Sequence, residues 1–101
     1  MPMTVKKMSA RADDAAGLLS AMSNARRLQI LCRLLEGEMT VGSLAEEMNI
    51  SQSALSQHLA KLRNRRLVRT RRDAQTIYYA VDSDAVSRIL DALDDIYYGH
   101  G

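Results

Sequence analysis

Between Ser51 and Arg72 the chain reads SQSALSQHLAKLRNRRLVRTRR, and the side chains there that can act on a partner are hydroxyls, amides and cations. Ser53, Ser56 and Gln57 stand at i, i+3 and i+4, the spacing that places them on one face of a helix. A glutamine there can pair bidentately with adenine, and a serine hydroxyl can bond the edges of several bases. Around them come Ser51, Gln52, His58, Lys61 and Arg63, and farther along Arg71, Arg72 and Gln75. Such groups suit phosphate oxygens, which fix the register of a protein on a duplex without reading its sequence.

The charge distribution supports the same chemistry. Lys61, Arg63, Arg65, Arg66, Arg69, Arg71 and Arg72 give residues 51–72 a charge of +7 with no acid to balance it, and since the whole chain carries +2, the remainder carries −5. A basic stripe attracts a polyanion by releasing its condensed counterions. From Asp82 to Tyr98 the balance reverses, with Asp82, Asp84, Asp91, Asp94 and Asp95 against Arg88 alone, so that end should face away from phosphate. The plain alternative is a solvated basic face with no partner.

Other classes of function find little support. No glycine-rich loop follows a strand, no Ser-His-Asp spacing suggests a triad, and His58 and His100 are too far apart to serve as paired bases, so the chain is not expected to be an enzyme or to need a cofactor. No apolar run reaches the length of a membrane span, and the N-terminal MPMTVKKMSARADDAA lacks the apolar centre of a secretory signal, so a cytoplasmic protein without membrane contact is expected. A single cysteine, Cys32, cannot form an intramolecular disulfide. At 101 residues, one small domain is expected over residues 9–98, with flexible ends at 1–8 and 99–101.

The elements that must carry these side chains are mainly helical, with one small β-hairpin. Ala15, Leu18, Leu19 and Met22 recur at helical spacing in a first helix over roughly residues 9–22, for which Ser9 is the candidate N-cap. Ser23 and Asn24 open a second helix through Leu28, Leu31, Leu34 and Leu35, which stops at Gly37. Thr40 caps a short third helix through Leu44, Ala45 and Met48, and Asn49 can take a left-handed conformation to end it. On the fourth helix, capped by Ser51, Leu55, Leu59 and Leu62 share the core face while Ser53, Ser56, Gln57, Ala60, Lys61 and Asn64 lie opposite. A third and fourth helix joined by a tight turn form a helix-turn-helix, whose second helix enters the major groove. The period then becomes that of strands: LVRTRR and TIYYAV flank a connection at Asp73–Gln75, a hairpin or wing with Ile77, Tyr79 and Val81 on one face. A fifth helix over roughly residues 83–98 carries the stripe Val86, Ile89, Leu90, Leu93, Ile96 and Tyr97.

The segments AMSNARRLQIL, SQSALSQHLAKLR and LVRTRRDAQTIYY, within a match running from LLSAMSNARR to TIYY, resemble the ArsR/SmtB winged helix-turn-helix transcriptional regulators. The resemblance is closest to the branch of the haemolysin activator and the nodulation repressor, which does not sense metals. It implies a homodimer packed through the first and last helices of two subunits, bound to an inverted-repeat operator, with repression as the usual outcome. The residues support a dimer independently, because a small helix-turn-helix core cannot cover both amphipathic terminal helices; Leu18, Leu19, Met22, Val86, Ile89, Leu90, Leu93, Ile96 and Tyr97 are the expected interface. Two-fold symmetry would place the reading helices about 34 Å apart on a roughly palindromic site in double-stranded DNA. The alternative is a dimeric winged-helix interaction module that no longer binds DNA.

Metal-sensing relatives carry a Cys-x-Cys pair at the start of the third helix, where this chain has Thr40 and Gly42, and Asp82 and Asp84 have no histidine near them; no metal site is expected. Cys32 lies at the edge of the second helix's apolar stripe. It reads either as a small buried inert thiol or as a redox-responsive one, whose oxidation to a sulfenic acid would place a polar group against the first or last helix. The methionines 22, 39 and 48 read as core filler, and the four tyrosines as packing or interface residues.

Overall fold

A computed structural model describes residues 4–99; expectations for residues 1–3 and for His100 and Gly101 lie outside the described residues. Six helices and three strands follow in the order α1 (Val5–Ala10), α2 (Ala12–Met22), α3 (Ala25–Glu36), β1 (Met39–Thr40), α4 (Val41–Met48), α5 (Gln52–Asn64), β2 (Val68–Asp73), β3 (Thr76–Val81) and α6 (Asp84–Tyr98). The helix expected over residues 9–22 is thus two, and the count of five becomes six. Thr4, not Ser9, is the first cap: its Oγ1 accepts from the Lys7 N–H at 3.2 Å, and Ser9 lies inside α1. The break falls at Arg11, whose backbone leaves the helical region (φ −107°, ψ 15°) while its Nε donates to Asp14 at 3.0 Å.

Elsewhere the local chemistry ends and starts helices where the residue types direct. The Asn24 carboxamide oxygen accepts from the N–H groups of Arg26 (2.9 Å) and Arg27 (3.2 Å), and Thr40 Oγ1 from that of Ser43 (3.1 Å). Asn49 sits at φ 56°, ψ 47°; the Ile50 N–H reaches back to the Ala45 carbonyl and the Asn49 N–H to that of Glu46, both at 3.2 Å, closing α4 with the paired bonds of a Schellman turn. Two residues later Ser51 Oγ accepts from the Ala54 N–H at 3.1 Å and starts α5. Asn49, Ile50 and Ser51 therefore make the whole turn of the helix-turn-helix. At the far end of α5 Arg66 takes the left-handed position (φ 60°), with Leu67 N–H to Leu62 O at 3.0 Å and Arg66 N–H to Arg63 O at 2.9 Å.

The core is the meeting of α3, α4 and α5. Ile30, Leu31 and Leu34 pack with Leu44, Ala45 and Met48 and with Leu55, Leu59 and Leu62, and Leu67 and Val68 close one side. Each such leucine contributes about 1.5–3 kcal/mol by leaving water. Burial of Ile30 together with Leu31 and Leu34, while Leu35 is exposed, turns α3 slightly from the orientation its leucines suggest.

The sheet has three strands rather than two, in the order β1-β3-β2. The hairpin pairs from Val68↔Val81 to Asp73↔Thr76, so Asp73 belongs to β2 and the turn is Ala74–Gln75 alone, with Ala74 left-handed at φ 57°. Strand β1 adds Met39↔Tyr79 and Thr40↔Tyr78.

With a radius of gyration of 15.1 Å and a long axis of 47 Å, the protomer is more extended than the roughly 13 Å expected of a compact chain this size. The ends of the chain account for it. Val5, Met8 and Leu19 on α1 and α2, and Ile96, Tyr97 and Tyr98 on α6, are large apolar residues left in solvent. Two residues assigned to a subunit interface belong instead to the protomer's own core: Met22 is 3 % exposed and Val86 is fully buried. The α6 stripe is divided along its length, its first turn facing the protomer's core and its last turn uncovered. Leu18, Ile89 and Leu90 are partly buried against the core, Leu93 is half-buried, and Leu19, Ile96 and Tyr97 are exposed.

Candidate nucleic-acid interface

Helix α5 separates its two kinds of residue completely. Leu55, Leu59 and Leu62 are at most 1 % exposed, whereas Gln52, Ser53, Ser56, Gln57, Ala60, Lys61, Arg63 and Asn64 are all exposed. The buried leucines fix the roll of the helix, and the fixed roll points the hydroxyl and amide groups outward. Ser53 and Ser51 are linked Oγ to Oγ at 3.4 Å, and Ser51 is held as the cap. Small side chains at Ser53, Ser56 and Ala60 allow close approach of a groove.

His58 departs from its expected place. It is half-buried, its Nδ1 lying 3.4 Å from Arg27 Nη1, and Arg27 in turn donates through Nε to the Ala21 carbonyl (2.6 Å) and through Nη2 to that of Ser20 (3.4 Å). Burial, then the Arg27, Lys61 and Arg26 charges, push the His58 pKa below its ordinary value. The imidazole is therefore a neutral joint between α5, α3 and the end of α2 rather than a cation offered to phosphate.

The wing sorts its arginines by face. Val68, Thr70 and Arg72 share one face with Val81, Tyr79 and Ile77, while Arg69, Arg71 and Asp73 share the other with Ala80, Tyr78 and Thr76. On the second face the cations are engaged. Arg71 Nε donates to Glu38 Oε2 at 3.2 Å, its Nη2 to Glu38 Oε1, and its guanidinium lies 4.5 Å from the centre of the Tyr78 ring. This bond pulls the Glu38 carboxyl below the usual carboxylate range and raises Arg71 further. Arg69 donates to the Val81 carbonyl at 3.0 Å and to Asp82 at 3.3 Å. The Arg72 side chain, on the first face, has no hydrogen bond or ion pair among the described residues, and nor have those of Lys61, Arg63 and Arg66. Gln75, in the turn, is exposed.

Between α5 and the sheet is a hollow of about 520 Å³ lined by Ser56, Ala60, Arg63, Asn64, Arg66 and Tyr79. Arg65 is exposed but turns toward α2: its Nη2 lies 1.0 Å from where a Cβ on Gly17 would stand, so the guanidinium occupies space that the glycine leaves open. Thus the +7 stripe is divided. All seven cations are exposed, but four stand unpaired around α5 and the first face of the wing, two are paired with Glu38 and Asp82, and one lies against α2. Glu38, Arg27 and Gly17 could not be found by periodicity, since each acts on a residue distant in sequence.

Cys32 is exposed on α3, in a surface depression of about 450 Å³ lined also by Arg26, Leu28, Gln29, Arg33, Glu47 and Met48. It is not a buried thiol, and its neighbours are α3 and α4 rather than the first or last helix. Among the described residues no group of three or more His, Cys, Asp or Glu could hold a metal ion, and no helix is long and apolar enough to cross a membrane.

The chain is similar to known proteins in sequence and in fold. Residues 24–70 match the family described as "Bacterial regulatory protein, arsR family". Nodulation protein NolR of Rhizobium meliloti is 64 % identical over 86 residues, covering 85 % of this chain and 70 % of the relative. Reduced HlyU from Vibrio cholerae superposes with a TM-score of 0.83 at 47 % identity, over 93 % of this chain and 99 % of that one. The homodimeric winged helix-turn-helix DNA-binding domain from Mycobacterium bovis superposes with a TM-score of 0.78 at 28 % identity, over 100 % and 97 % of the two chains. On this sequence identity and superposition, the chain belongs to the arsR family of bacterial transcriptional regulators, a family of winged helix-turn-helix proteins and not of enzymes.

Proposed function

We propose that two copies of this chain form a homodimer that binds double-stranded DNA at a roughly palindromic operator and represses transcription from it. The observation that carries the reading is the division of α5 into a buried leucine face and an exposed face of Ser53, Ser56 and Gln57, bordered by the unpaired cations Lys61, Arg63, Arg66 and Arg72. In this arrangement α5 lies in the major groove, where Gln57 pairs with adenine and the two serines bond neighbouring edges. The hollow between α5 and the wing receives a phosphate backbone, with Arg63 and Arg66 on its floor. The apolar side chains left in solvent on α1, α2 and the end of α6 are covered by the second copy, as the homodimeric relative supports. Two reading heads about 34 Å apart then meet successive major grooves.

Selection of bound sequences from a random duplex pool tests this. A palindromic consensus is expected, and Gln57→Ala should lose preference at one position of each half-site by about 1–3 kcal/mol while keeping the rest. A consensus without dyad symmetry, or one that Gln57→Ala leaves intact, would refute the arrangement. Cys32 enters the same proposal as an oxidation-responsive thiol, since it is open to solvent. Cys32→Ser should bind DNA as the unmodified chain does and lose any effect of peroxide; an equal peroxide effect on both removes the thiol from the proposal.

A further inference from the structure

Glu38 lies just before β1, outside every element that faces DNA, yet it makes the firmest side-chain contact of the wing. Both of its oxygens accept from Arg71, which is 33 residues away, and the guanidinium is sandwiched against Tyr78, a residue that pairs with Thr40 across β1 and β3. Arg71 therefore has a negative partner, a ring beneath it and a fixed direction, on the face of β2 opposite Arg72.

A hairpin tip brought to a duplex finds backbone on both sides, because the minor groove is only about 6 Å wide. Arg72 suits one of those backbones. Arg71 is the residue placed for the other, at the neighbouring position and of the same reach, and Glu38 prevents it. We propose that Glu38 is a positioning residue for DNA recognition: it withholds Arg71 from the phosphate backbone and so limits the sequence-independent affinity of the protein. The proposal rests on the DNA-binding reading above. The bond to Arg71 holds the Glu38 carboxyl below its ordinary range, so the group that faces Arg71 is an ionised carboxylate at neutral pH.

The test compares the full chain with Glu38→Ala, Arg71→Ala and the double variant on a mixed-sequence duplex, from 50 to 200 mM KCl. One added phosphate contact is worth about 5.5-fold at 0.15 M salt, hence roughly thirtyfold for a dimer, and steepens the slope of log affinity on log salt by nearly 2. Arg71→Ala alone should bind within about twofold of the parent with the parent's slope, since its charge is already withheld. Glu38→Ala should bind tighter and more steeply, by the amounts just given, and the double variant should return to the parent. Glu38 is exposed, so these variants should fold, which the thermal midpoint confirms; Glu38→Gln, of the same length, should shift affinity in the same direction.

Weaker binding by Arg71→Ala with a shallower slope would show that Arg71 already touches DNA and would overturn the proposal. So would weaker binding by Glu38→Ala, the outcome if Glu38 merely props the wing in place. Absence of salt-dependent binding by the parent itself would remove the DNA-binding reading and this proposal with it, and is told apart from the other failures by needing no variant.

Discussion

The division of the basic stripe makes a quantitative prediction about salt. Of the seven cations in residues 51–72, Arg69 and Arg71 are neutralised within the protomer and Arg65 lies over Gly17, which leaves Lys61, Arg63, Arg66 and Arg72. A dimer then brings eight cations to phosphate, and at about −0.9 per contact the slope of log affinity on log salt should be near −7. Raising salt from 50 to 200 mM should weaken binding by roughly 10⁴-fold, whereas fourteen contacts would give a slope near −13 and a loss above 10⁷-fold. Fluorescence anisotropy of a labelled duplex at four salt concentrations separates these cases. Arg72→Ala should flatten the slope by nearly 2 and weaken every sequence alike, and Arg69→Ala should leave the slope unchanged. A parent slope near −13 would show that the internal pairs open on DNA, and one shallower than −3 would show that the exposed cations do not meet phosphate at all; either refutes the assignment by face.

Three further outcomes follow from other parts of the molecule. Ile96→Asp with Tyr97→Asp, at positions 72 % and 77 % exposed in the protomer, should remove about 2 kcal/mol or more per residue from a covered interface and give a monomer by sedimentation, whereas an unchanged mass would show that the end of α6 is not covered by a second copy. His58 has a lowered pKa, so below its ordinary 6.5 the unfolded chain binds a proton that the native one refuses, and stability falls as pH drops from that value toward the native pKa. Melting from pH 7.5 to 5.5 should show this decline reduced in His58→Gln, and equal declines would show that burial and the neighbouring cations do not oppose the charge on His58. Ala74→Gly removes a left-handed alanine costing about 1–2 kcal/mol, partly offset by glycine's greater chain entropy, and should raise the melting temperature by about 2–4 °C; a lower one would show that the turn tolerates alanine without strain.

The parts of the fold that were legible are those in which one residue type settles one local question. Asn24, Thr40 and Ser51 cap helices because a short side-chain oxygen next to a helix's first turn has free N–H groups to accept from, and Asn49 ends α4 because its side chain tolerates a left-handed backbone. Strand β1 was not legible: two residues have no period, and Met39 and Thr40 become a strand only because β3 offers them bonding partners. The break at Arg11 was hidden for a related reason. The apolar spacing of α2 continues smoothly into residues that could be helical, so which hydroxyl caps the chain, that of Thr4 or of Ser9, depends on a competition that periodicity does not record.

For the site, the outward face of α5 could be read because the leucines at 55, 59 and 62 fix it by exclusion. The wing could not be read in the same way. Alternation along β2 separates Arg69 and Arg71 from Arg72, but nothing local shows which side of the hairpin meets an acid; that is decided by Glu38 and Asp82, one on each side of the hairpin in sequence, which converge on the same face. Net charge over a segment counts cations without regard to whom they face. In a three-stranded wing whose edges return to the core, carboxylates from outside the segment reach one face and leave the other, and the electrostatic footprint offered to a polyanion is set by that difference rather than by the total.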